Sequence, residues 1–494
     1  MLNVSPNLDG KFYLRKVLLV TIPLLATVGV FWKFFIVAEV PFRLDYAEGF
    51  IFTNSLSILQ GESIYQNIVS GPYIFGFYTP LFNYVSAVLM KLFGSDISVL
   101  RTLSFIFFLG SGVSVGYIVK KYTHSLFASL FAALLFLSAF VISQWSSVAR
   151  PDMFGLFLIC LGLATTVVPW RINFLRIVIP SVIFALAFFT KQNFVFAPLA
   201  YSIYLGLNSN KKNLLSFAGI YASCLTLGIL LLHYWTKGEF TKQVFVYTGL
   251  VSYGNLYTAF RIVAITAITA TPFIIASVKR IISKPKNLLS IYVVCSALTG
   301  LMLLRDGGIQ NYLIEFILAV VLAACTTVPW DTLQRAPAAH VYPLLFVLQF
   351  FFVLWSYSAM PWDVQTYATE RLNIFNQEVS TIRRSSRILV EDPLVAHATA
   401  SKIELDPYTY GQITESGLLS NTQLFSEIKN GQFQYLDDYG AFDRINGMLA
   451  IKSEYFYPEL LLKFSNPIKP FDYSLYNKHV VSEIGTLYHF GVSD

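Results

Sequence analysis

Long apolar runs separated by short polar connections are the feature that most restricts the fold of this sequence. Runs close to the roughly 20 residues that cross a bilayer occur at residues 17–38, 101–119, 125–143, 153–169, 176–190, 194–207, 214–234, 257–278, 288–304, 311–328 and 340–358. Only 13% of the 494 residues are charged, against about 25% in soluble domains. The sequence therefore predicts an α-helical polytopic membrane protein with about 11 transmembrane helices.

The basic residues of the short connections predict which way these spans run. If the spans alternate, one side receives the basic residues near the N-terminus, the connections at 120–124, 170–176, 208–213 and 278–287, and Arg335. Cytoplasmic loops are enriched in Lys and Arg, so this side is predicted to be the cytoplasm. The net charge of +7 then reflects topology and gives no reason to expect a nucleic acid partner. The N-terminus is predicted to be cytoplasmic and the C-terminus extracytoplasmic.

The segment at residues 78–94 is apolar but short, with Pro80 near its start and Lys91 near its end. If it crossed the membrane, every later basic connection would lie outside. We therefore predict a helix at the outer membrane interface.

Beyond about residue 360 the charged fraction rises and no run is long enough to span a bilayer. Strand-like stretches ("RILVED", "GMLAIKS" and "GTLYHFGV") alternate there with helix-like ones such as "NTQLFSEIKNG". We predict a transmembrane domain at residues 1–358 and a small extracytoplasmic α/β domain at residues 359–494. The four cysteines all lie in apolar segments and indicate no disulfide framework. The compact tail and the lack of cysteines in the outer loops favour a bacterial inner membrane.

Several predicted outer loops carry polar residues of both signs. Asp45 and Glu48 are three residues apart, so a helical turn would place both carboxylates on one face; a solvated loop start is the alternative. Arg150 and Asp152 flank Pro151, which suits a helix N-terminus, although such a cap does not require the arginine.

Two further outer loops add to this set. Lys191 and Gln192 lie between two apolar runs, where the lysine could also be an anchor at the membrane surface. Arg305 and Asn311 precede Glu315, which falls within the start of a predicted span and therefore needs a partner or a wet cavity. Together these loops predict a polar cavity at the outer face.

Such a cavity suits group transfer from a lipid-linked phosphate. A carboxylate can take the proton of an acceptor hydroxyl, while Lys or Arg stabilises the departing phosphate. We assign Asp45 as the base. The six histidines have no paired ligand spacing and the cysteines form no cluster, so zinc has no support. A divalent cation, Mg²⁺ or Mn²⁺, held by Asp45, Glu48 and Asp152 stays open.

The arrangement resembles the GT-C superfamily of integral membrane glycosyltransferases, which includes the protein O-mannosyltransferases and the bacterial lipid A aminoarabinose transferases. The motifs that carry the resemblance are "LDYAEG", "GESIYQN", "YTPLFNYVSAVLMKLFG", Arg101, "ARPD" and "TKQN", within residues 40–205. Two details depart from the family. The acidic residues of the first loop are three apart rather than adjacent, and Tyr78 and Thr79 precede Pro80 where the aminoarabinose transferases have a lysine.

The resemblance implies a polyprenyl-phosphate-linked sugar donor, an extracytoplasmic active site and inversion at the anomeric carbon. It implies Asp45 as the catalytic base, with Glu48 beside it as a second catalytic residue. Arg150, Lys191 and Arg305 are then the expected ligands of the donor phosphate. The expected substrate-binding residues are Tyr78, Asp152, Gln192, Asn311 and Glu315.

The acceptor could be a glycan, a lipid or a protein. Three alternatives remain: a transporter or flippase, a polymerase or ligase of lipid-linked polysaccharide, and a catalytically silent scaffold. Transporters tend to place polar groups near the bilayer midplane, whereas here they cluster at one end of the predicted spans.

Overall fold

The structure is a computed structural model of the protein. It describes residues 6–68, 71–208, 211–249, 256–304, 308–328, 361–390 and 392–406, and further on 409–410, 413, 416–420, 422–430, 432–433, 435–437, 476–480 and 486–490. The predicted span at 340–358 and the strand-like stretch "GMLAIKS" lie outside the described residues.

The described chain up to Cys325 is helical. Its α-helices are α1 (Pro6–Val37), α2 (Tyr46–Leu59), α3 (Leu81–Phe93), α4 (Ile97–Thr123), α5 (Leu126–Leu137), α6 (Phe140–Trp145), α7 (Pro151–Thr166), α8 (Leu175–Thr190), α9 (Phe196–Asn208), α10 (Lys211–Trp235), α11 (Glu239–Thr241), α12 (Leu256–Ser283), α13 (Leu288–Ala297) and α14 (Ile314–Cys325). A π-helical turn covers Lys242–Val246, and 3₁₀ turns cover Tyr247–Gly249, Leu298–Leu304 and Gln310–Leu313.

Within the described chain, four helical segments are long and apolar enough to cross a membrane: Val20–Val37, Ile97–Thr123, Lys211–Trp235 and Ala259–Ser283. Most other predicted spans appear as shorter apolar helices. The run at 125–143 is divided between α5 and α6, because Ser138 ends α5 and Ala139 has an extended backbone. The run at 288–304 changes from α to 3₁₀ geometry after Ala297. The predicted count of 11 spans is therefore not established.

Helix α10 shows where lipid would lie. Only 6% of its apolar window is buried, and it exposes Leu227, Leu230, Leu231 and Trp235. A continuous apolar helix surface of this kind would be unfavourable in water but suits hydrocarbon. Helix α3 is the segment predicted to lie at the interface. It buries Phe82 and Met90 and exposes Val88 and Leu92.

The core lies between α4, α5, α7, α8 and α14, with α14 buried along nearly its whole length. Close helix packing depends on small residues: a Cβ atom built on Gly112 of α4 would lie 2.7 Å from the Leu137 side chain of α5. This rigid packing fixes the ends of α7, α8 and α14, which carry the polar side chains described below.

Beyond residue 360 the described elements are helices Pro361–Thr381, Pro393–Ala398 and Thr422–Lys429 and strands β1 (Arg387–Leu389), β2 (Lys402–Ile403), β3 (Tyr435–Asp437), β4 (Tyr476–Val480) and β5 (Thr486–Phe490). The strand order is β2-β1-β3-β5-β4. β1 is parallel to β2 and β3, and β5 is antiparallel to β3 and β4. Since residues 438–475 lie outside the described chain, a domain at 359–494 stays a prediction.

The C-terminal residues contact the loop that follows α1. The backbone N–H of Arg43 donates to Asp392 Oδ2 at 3.2 Å, and the Tyr46 hydroxyl donates to Asp406 Oδ1 at 2.8 Å. Further along, Tyr73 pairs with Leu405 in a parallel β-bridge. The first predicted outer loop is therefore held by residues more than 300 positions later in the chain.

Candidate active site

Asp45 stands at the start of α2, where the chain changes from extended to helical backbone. It is the N-cap residue, and its Oδ1 accepts the backbone N–H of Ala47 at 3.2 Å. Asp is favoured here because it satisfies an N–H group that the helix leaves unpaired. The side chain is 18% exposed. In the described part of the chain its hydrogen bonds all go to Oδ1, which leaves Oδ2 for another partner.

Arg150 occupies the N-cap position of α7, followed by Pro151 at the first helical position. Its guanidinium donates to Asp45 Oδ1 and to the Tyr78 hydroxyl. Its Nε lies 3.3 Å from Asp152 Oδ2, and its charge faces the ring of Trp145 at 5.1 Å. Arg150 thus joins the start of α2, the start of α7 and the loop before α3.

Asp152 and Lys191 form the second ion pair. Lys191 Nζ donates to Asp152 Oδ1 at 2.6 Å, and Asn311 Nδ2 donates to the same oxygen at 3.0 Å. The lysine side chain is 2% exposed and the aspartate 1%. The ammonium also faces the rings of Tyr312 at 5.1 Å and Tyr78 at 5.4 Å, which is cation–π geometry.

The structure thus brings together Asp45, Tyr78, Arg150, Asp152, Lys191 and Asn311, which we call the outer cluster. The formal charges of its two carboxylates and two cations sum to zero. Burial alone would lower the pKa of Arg150, but Asp45, Tyr78 and Asp152 raise it above its usual value. Burial raises the pKa of Tyr78 despite the adjacent Arg150. The arginine is therefore charged and the tyrosine neutral at any ordinary pH.

Glu48 does not occupy the position expected for a second catalytic carboxylate. It is completely buried and forms an ion pair with Arg101, with Oε2 2.7 Å from Arg101 NH2. Its Oε1 accepts from Arg101 Nε at 2.9 Å. In the described chain no carboxylate oxygen of Glu48 is accessible to a substrate.

The other predicted site residues have different surroundings. Gln192 Nε2 donates to Phe77 O at 2.9 Å, which attaches it to the loop that carries Tyr78. Glu315 Oε1 accepts the backbone N–H of Ala197 at 2.7 Å, in the first turn of α9. Glu315 therefore has a hydrogen-bond partner, as predicted, but that partner, the backbone N–H of Ala197, lies outside the outer cluster. Arg305 lies outside the described residues.

Arg101, Trp145 and Tyr312 contact Glu48, Arg150 and Lys191, respectively, but were not among the predicted site residues. The sequence could have indicated Arg101, since a charge near the start of an apolar run needs a buried partner. It could not have indicated the two aromatic residues, because 16% of the chain is aromatic and nothing distinguishes these two from the rest.

Within the described chain there is no group of three or more His, Cys, Asp or Glu that could hold a metal ion. The set considered from the sequence, Asp45, Glu48 and Asp152, is divided between separate ion pairs: Glu48 binds Arg101, whereas the two aspartates bind Arg150 and Lys191.

Comparisons with known proteins address the fold. Residues 78–236 match the family model described as dolichyl-phosphate-mannose-protein mannosyltransferase. Among solved structures, ArnT from Cupriavidus metallidurans bound to undecaprenyl phosphate superposes with a TM-score of 0.61 and 13% identity over 96% of this chain and 97% of that chain. The archaeal oligosaccharyltransferase AglB from Archaeoglobus fulgidus, in complex with an inhibitory peptide and a dolichol-phosphate, gives a TM-score of 0.51 and 10% identity over 94% and 73% of the two chains. A search of curated protein sequences gives no match.

The chain has the fold of the GT-C superfamily of integral membrane glycosyltransferases, and the resemblance predicted from its sequence motifs is confirmed. The particular matches are a mannosyltransferase family model over part of the chain and the ArnT fold over nearly all of it. At 13% identity the structural match defines the architecture alone, and a shared fold does not determine the activity.

Proposed function

We propose that this protein transfers a sugar from a polyprenyl-phosphate-linked donor to an acceptor hydroxyl at the extracytoplasmic membrane face, with inversion at the anomeric carbon. The observation that carries the proposal is one arrangement: a partly exposed carboxylate, Asp45, is paired with the buried Arg150, and Asp152 links Arg150 to a second buried cation, Lys191. These residues come from the start of α2, the start of α7 and the end of α8. Because α7 and α8 are consecutive helices, these ends lie on one side of the bundle.

The reaction follows from this arrangement. The acceptor hydroxyl gives its proton to Asp45 Oδ2 while its oxygen attacks the anomeric carbon. The bond between that carbon and the phosphate oxygen breaks, and its electron pair leaves with the polyprenyl phosphate. Arg150 and Lys191 stabilise the negative charge that develops on the phosphate. A single displacement needs one base and inverts the anomeric centre, unlike the double displacement with two carboxylates in retaining enzymes.

The lipid-linked donor is supported by the ligands of the two structural matches, ArnT with undecaprenyl phosphate and AglB with a dolichol-phosphate. Both carry a polyprenyl-type lipid with a phosphate. The neutral charge sum of the outer cluster means that a bound phosphate requires a further cation or a rearranged ion pair. We propose Arg305 as that cation. Tyr78, Asp152, Gln192 and Asn311 remain the proposed sugar and substrate contacts, and Glu315 has no described contact that supports this role.

The location of the cluster favours an enzyme over a transporter. The charged groups lie at helix ends, whereas transporters place them near the bilayer midplane on broken helices. A polymerase or ligase of lipid-linked polysaccharide would use the same base and the same lipid phosphate, so only the acceptor distinguishes it. We place the protein in a bacterial inner membrane, with the N-terminus in the cytoplasm and the C-terminal residues outside.

The test is sugar transfer by the purified full chain from radiolabelled polyprenyl-phosphate sugars to candidate acceptors. We expect Asp45→Asn to lower kcat by about 10²- to 10⁴-fold, the range for loss of a general base. Asp96 offers a matched control, because it caps α4 by accepting Ser98 N–H at 2.7 Å, as Asp45 caps α2. Asp96→Asn should keep activity within about twofold, since Asn and Asp cap helices equally well. Undiminished transfer in Asp45→Asn would disprove the assignment of the base.

A further inference from the structure

We propose that Glu48 is a positioning residue, which fixes the Asp45–Arg150 ion pair by binding the backbone immediately before each of its two members. This inference rests on the proposed function, because it assigns how the base and the phosphate-binding arginine are held. It also replaces the catalytic role that the family resemblance implied for Glu48.

The two backbone contacts define the role. Glu48 Oε2 accepts the N–H of Leu44 at 2.6 Å, and Leu44 directly precedes Asp45. Glu48 Oε1 accepts the N–H of Ala149 at 2.7 Å, and Ala149 directly precedes Arg150. One carboxylate therefore joins two loops that are about a hundred residues apart in sequence. Each contact lies one peptide from a functional side chain, so a shift of Glu48 moves both.

Arg101 makes this carboxylate rigid. Its guanidinium binds both Glu48 oxygens and also donates to three backbone carbonyls: Val37 O at 2.9 Å, Val40 O at 2.6 Å and Phe42 O at 2.7 Å. These carbonyls belong to the end of α1 and the segment leading to Asp45. The charges of Glu48 and Arg101 are paired, and each Glu48 oxygen accepts two hydrogen bonds, so the buried pair is well compensated.

Catalysis depends on the exact position that Glu48 gives to Asp45 and Arg150. A general base acts only within hydrogen-bond reach of the proton it takes, and misplacement of a catalytic group by about 1 Å can cost about 100-fold in rate. Glu48→Gln keeps the shape of the side chain but replaces one accepting oxygen by an NH₂ group. That group would face a backbone N–H or the guanidinium, and one of the loops would lose its contact.

The experiment measures kcat and donor KM separately for Glu48→Gln, Glu48→Asp and Arg101→Lys in the full chain. We expect kcat to fall by about 10- to 100-fold in Glu48→Gln, with a smaller effect on donor KM, because Lys191, whose described contacts do not include Glu48, still binds the donor phosphate. Glu48→Asp keeps the charge but is shorter by one methylene, so it should show the same kcat-specific loss. The double variant Glu48→Gln/Arg101→Lys should be no slower than the slower single variant, as expected for residues acting as one unit.

Glu404→Gln is the control for a general loss of stability. Glu404 is a buried carboxylate paired with an arginine, Arg387, at 3.2 Å in the C-terminal part of the chain. A kcat in folded Glu48→Gln within twofold of wild type would overturn the proposal. A similar kcat loss in Glu404→Gln at matched thermal stability would overturn it as well, because the effect would then be structural.

A second measurement, of stability, tests the proposal without an assay of sugar transfer. The coupling between Asp45 and Arg150 is measured from the thermal unfolding of Asp45→Asn, Arg150→Gln and the double variant, in the wild-type and the Glu48→Gln backgrounds. We expect the coupling to shrink to less than half in the Glu48→Gln background. An unchanged coupling energy would contradict the positioning role of Glu48. If no donor supports transfer by the wild-type protein, that result refutes the proposed function alone, and the coupling measurement still tests the positioning role.

Discussion

Removal of the Asp152 charge should destabilise the protein in a way that a lipid phosphate reverses. Asp152 is shared by two cations, but Arg150 also has Asp45. Lys191 has its 2.6 Å bond to Asp152, and its other described contacts are ring faces. Asp152→Asn therefore leaves a buried ammonium without a counter-charge. Breaking a buried pair in this way costs about 3–5 kcal/mol, far more than an exposed pair contributes.

The assay is thermal unfolding of the detergent-solubilised protein, followed with a thiol-reactive dye. All four cysteines are free and three are buried, so unfolding exposes new thiols. We expect a clear decrease in the apparent Tm of Asp152→Asn. Saturating polyprenyl phosphate should raise the Tm of this variant more than that of wild type, because the anion replaces the missing carboxylate. At about 100 times Kd, a ligand of the folded state adds about 2.7 kcal/mol.

The matched control removes both charges. Asp152→Asn/Lys191→Met should regain most of the lost stability, since replacing a buried pair by uncharged groups of similar volume is often neutral. Equal instability of the single and the double variant would refute the reasoning that an unpaired buried lysine is the cause. Equal stabilisation of wild type and Asp152→Asn by the lipid phosphate would refute the placement of the phosphate beside Lys191.

Two further changes test the surroundings of the outer cluster. A Cβ on Gly155 would lie 2.1 Å from the Phe194 ring, so Gly155→Ala should cost about 1–3 kcal/mol through overpacking and lower kcat by shifting the turn after Lys191. Gly219→Ala is its control, because a Cβ added at Gly219 would meet no atom of another part of the chain within 4 Å. Both variants are compared with wild type by thermal unfolding and by transfer rate. Burial raises the pKa of Asp406 to about 6, above its value of about 3.9 in unfolded chains. The folded state therefore binds this proton more tightly, and its contribution to stability is complete below about pH 4 and lost as pH rises through about 6. Asp406→Asn should flatten this part of the stability profile measured between pH 4 and 7, and an unchanged profile would contradict the assignment.

The apolar pattern predicted helices where helices occur, because in a membrane the backbone has few other ways to satisfy its hydrogen bonds. It predicted their lengths less well. Ser138 ends α5 within an apolar run, and a serine there gives no stop signal as strong as Pro or Gly. The 3₁₀ turn at Leu298–Leu304 has no composition that separates it from α-helix.

The outer cluster was predictable as a set of charges but not as a set of pairs. Sequence spacing placed Asp45 and Glu48 on one helical face, yet their carboxylates have separate arginine partners, Arg150 and Arg101. A pairing across 105 residues depends on how α2, α4 and α7 pack, which local spacing does not encode. Glu315 was predicted to need a partner, and the partner is a backbone N–H at α9 that no sequence motif marks.

The contacts from Asp392 and Asp406 to the loop around Asp45 have a consequence for biogenesis. Arg43 and Asp392 are 349 residues apart, and Tyr46 and Asp406 are 360 residues apart. At a synthesis rate of about 5–20 residues per second, roughly 20–70 s pass between the synthesis of the loop and that of Asp392 and Asp406, which hold it. During this interval the first helices can insert and pack, but the loop that carries the proposed base, Asp45, lacks two of its supporting contacts. A nascent chain should therefore acquire the proposed transfer activity only after Asp392 and Asp406 have been synthesised and have folded against the loop around Asp45.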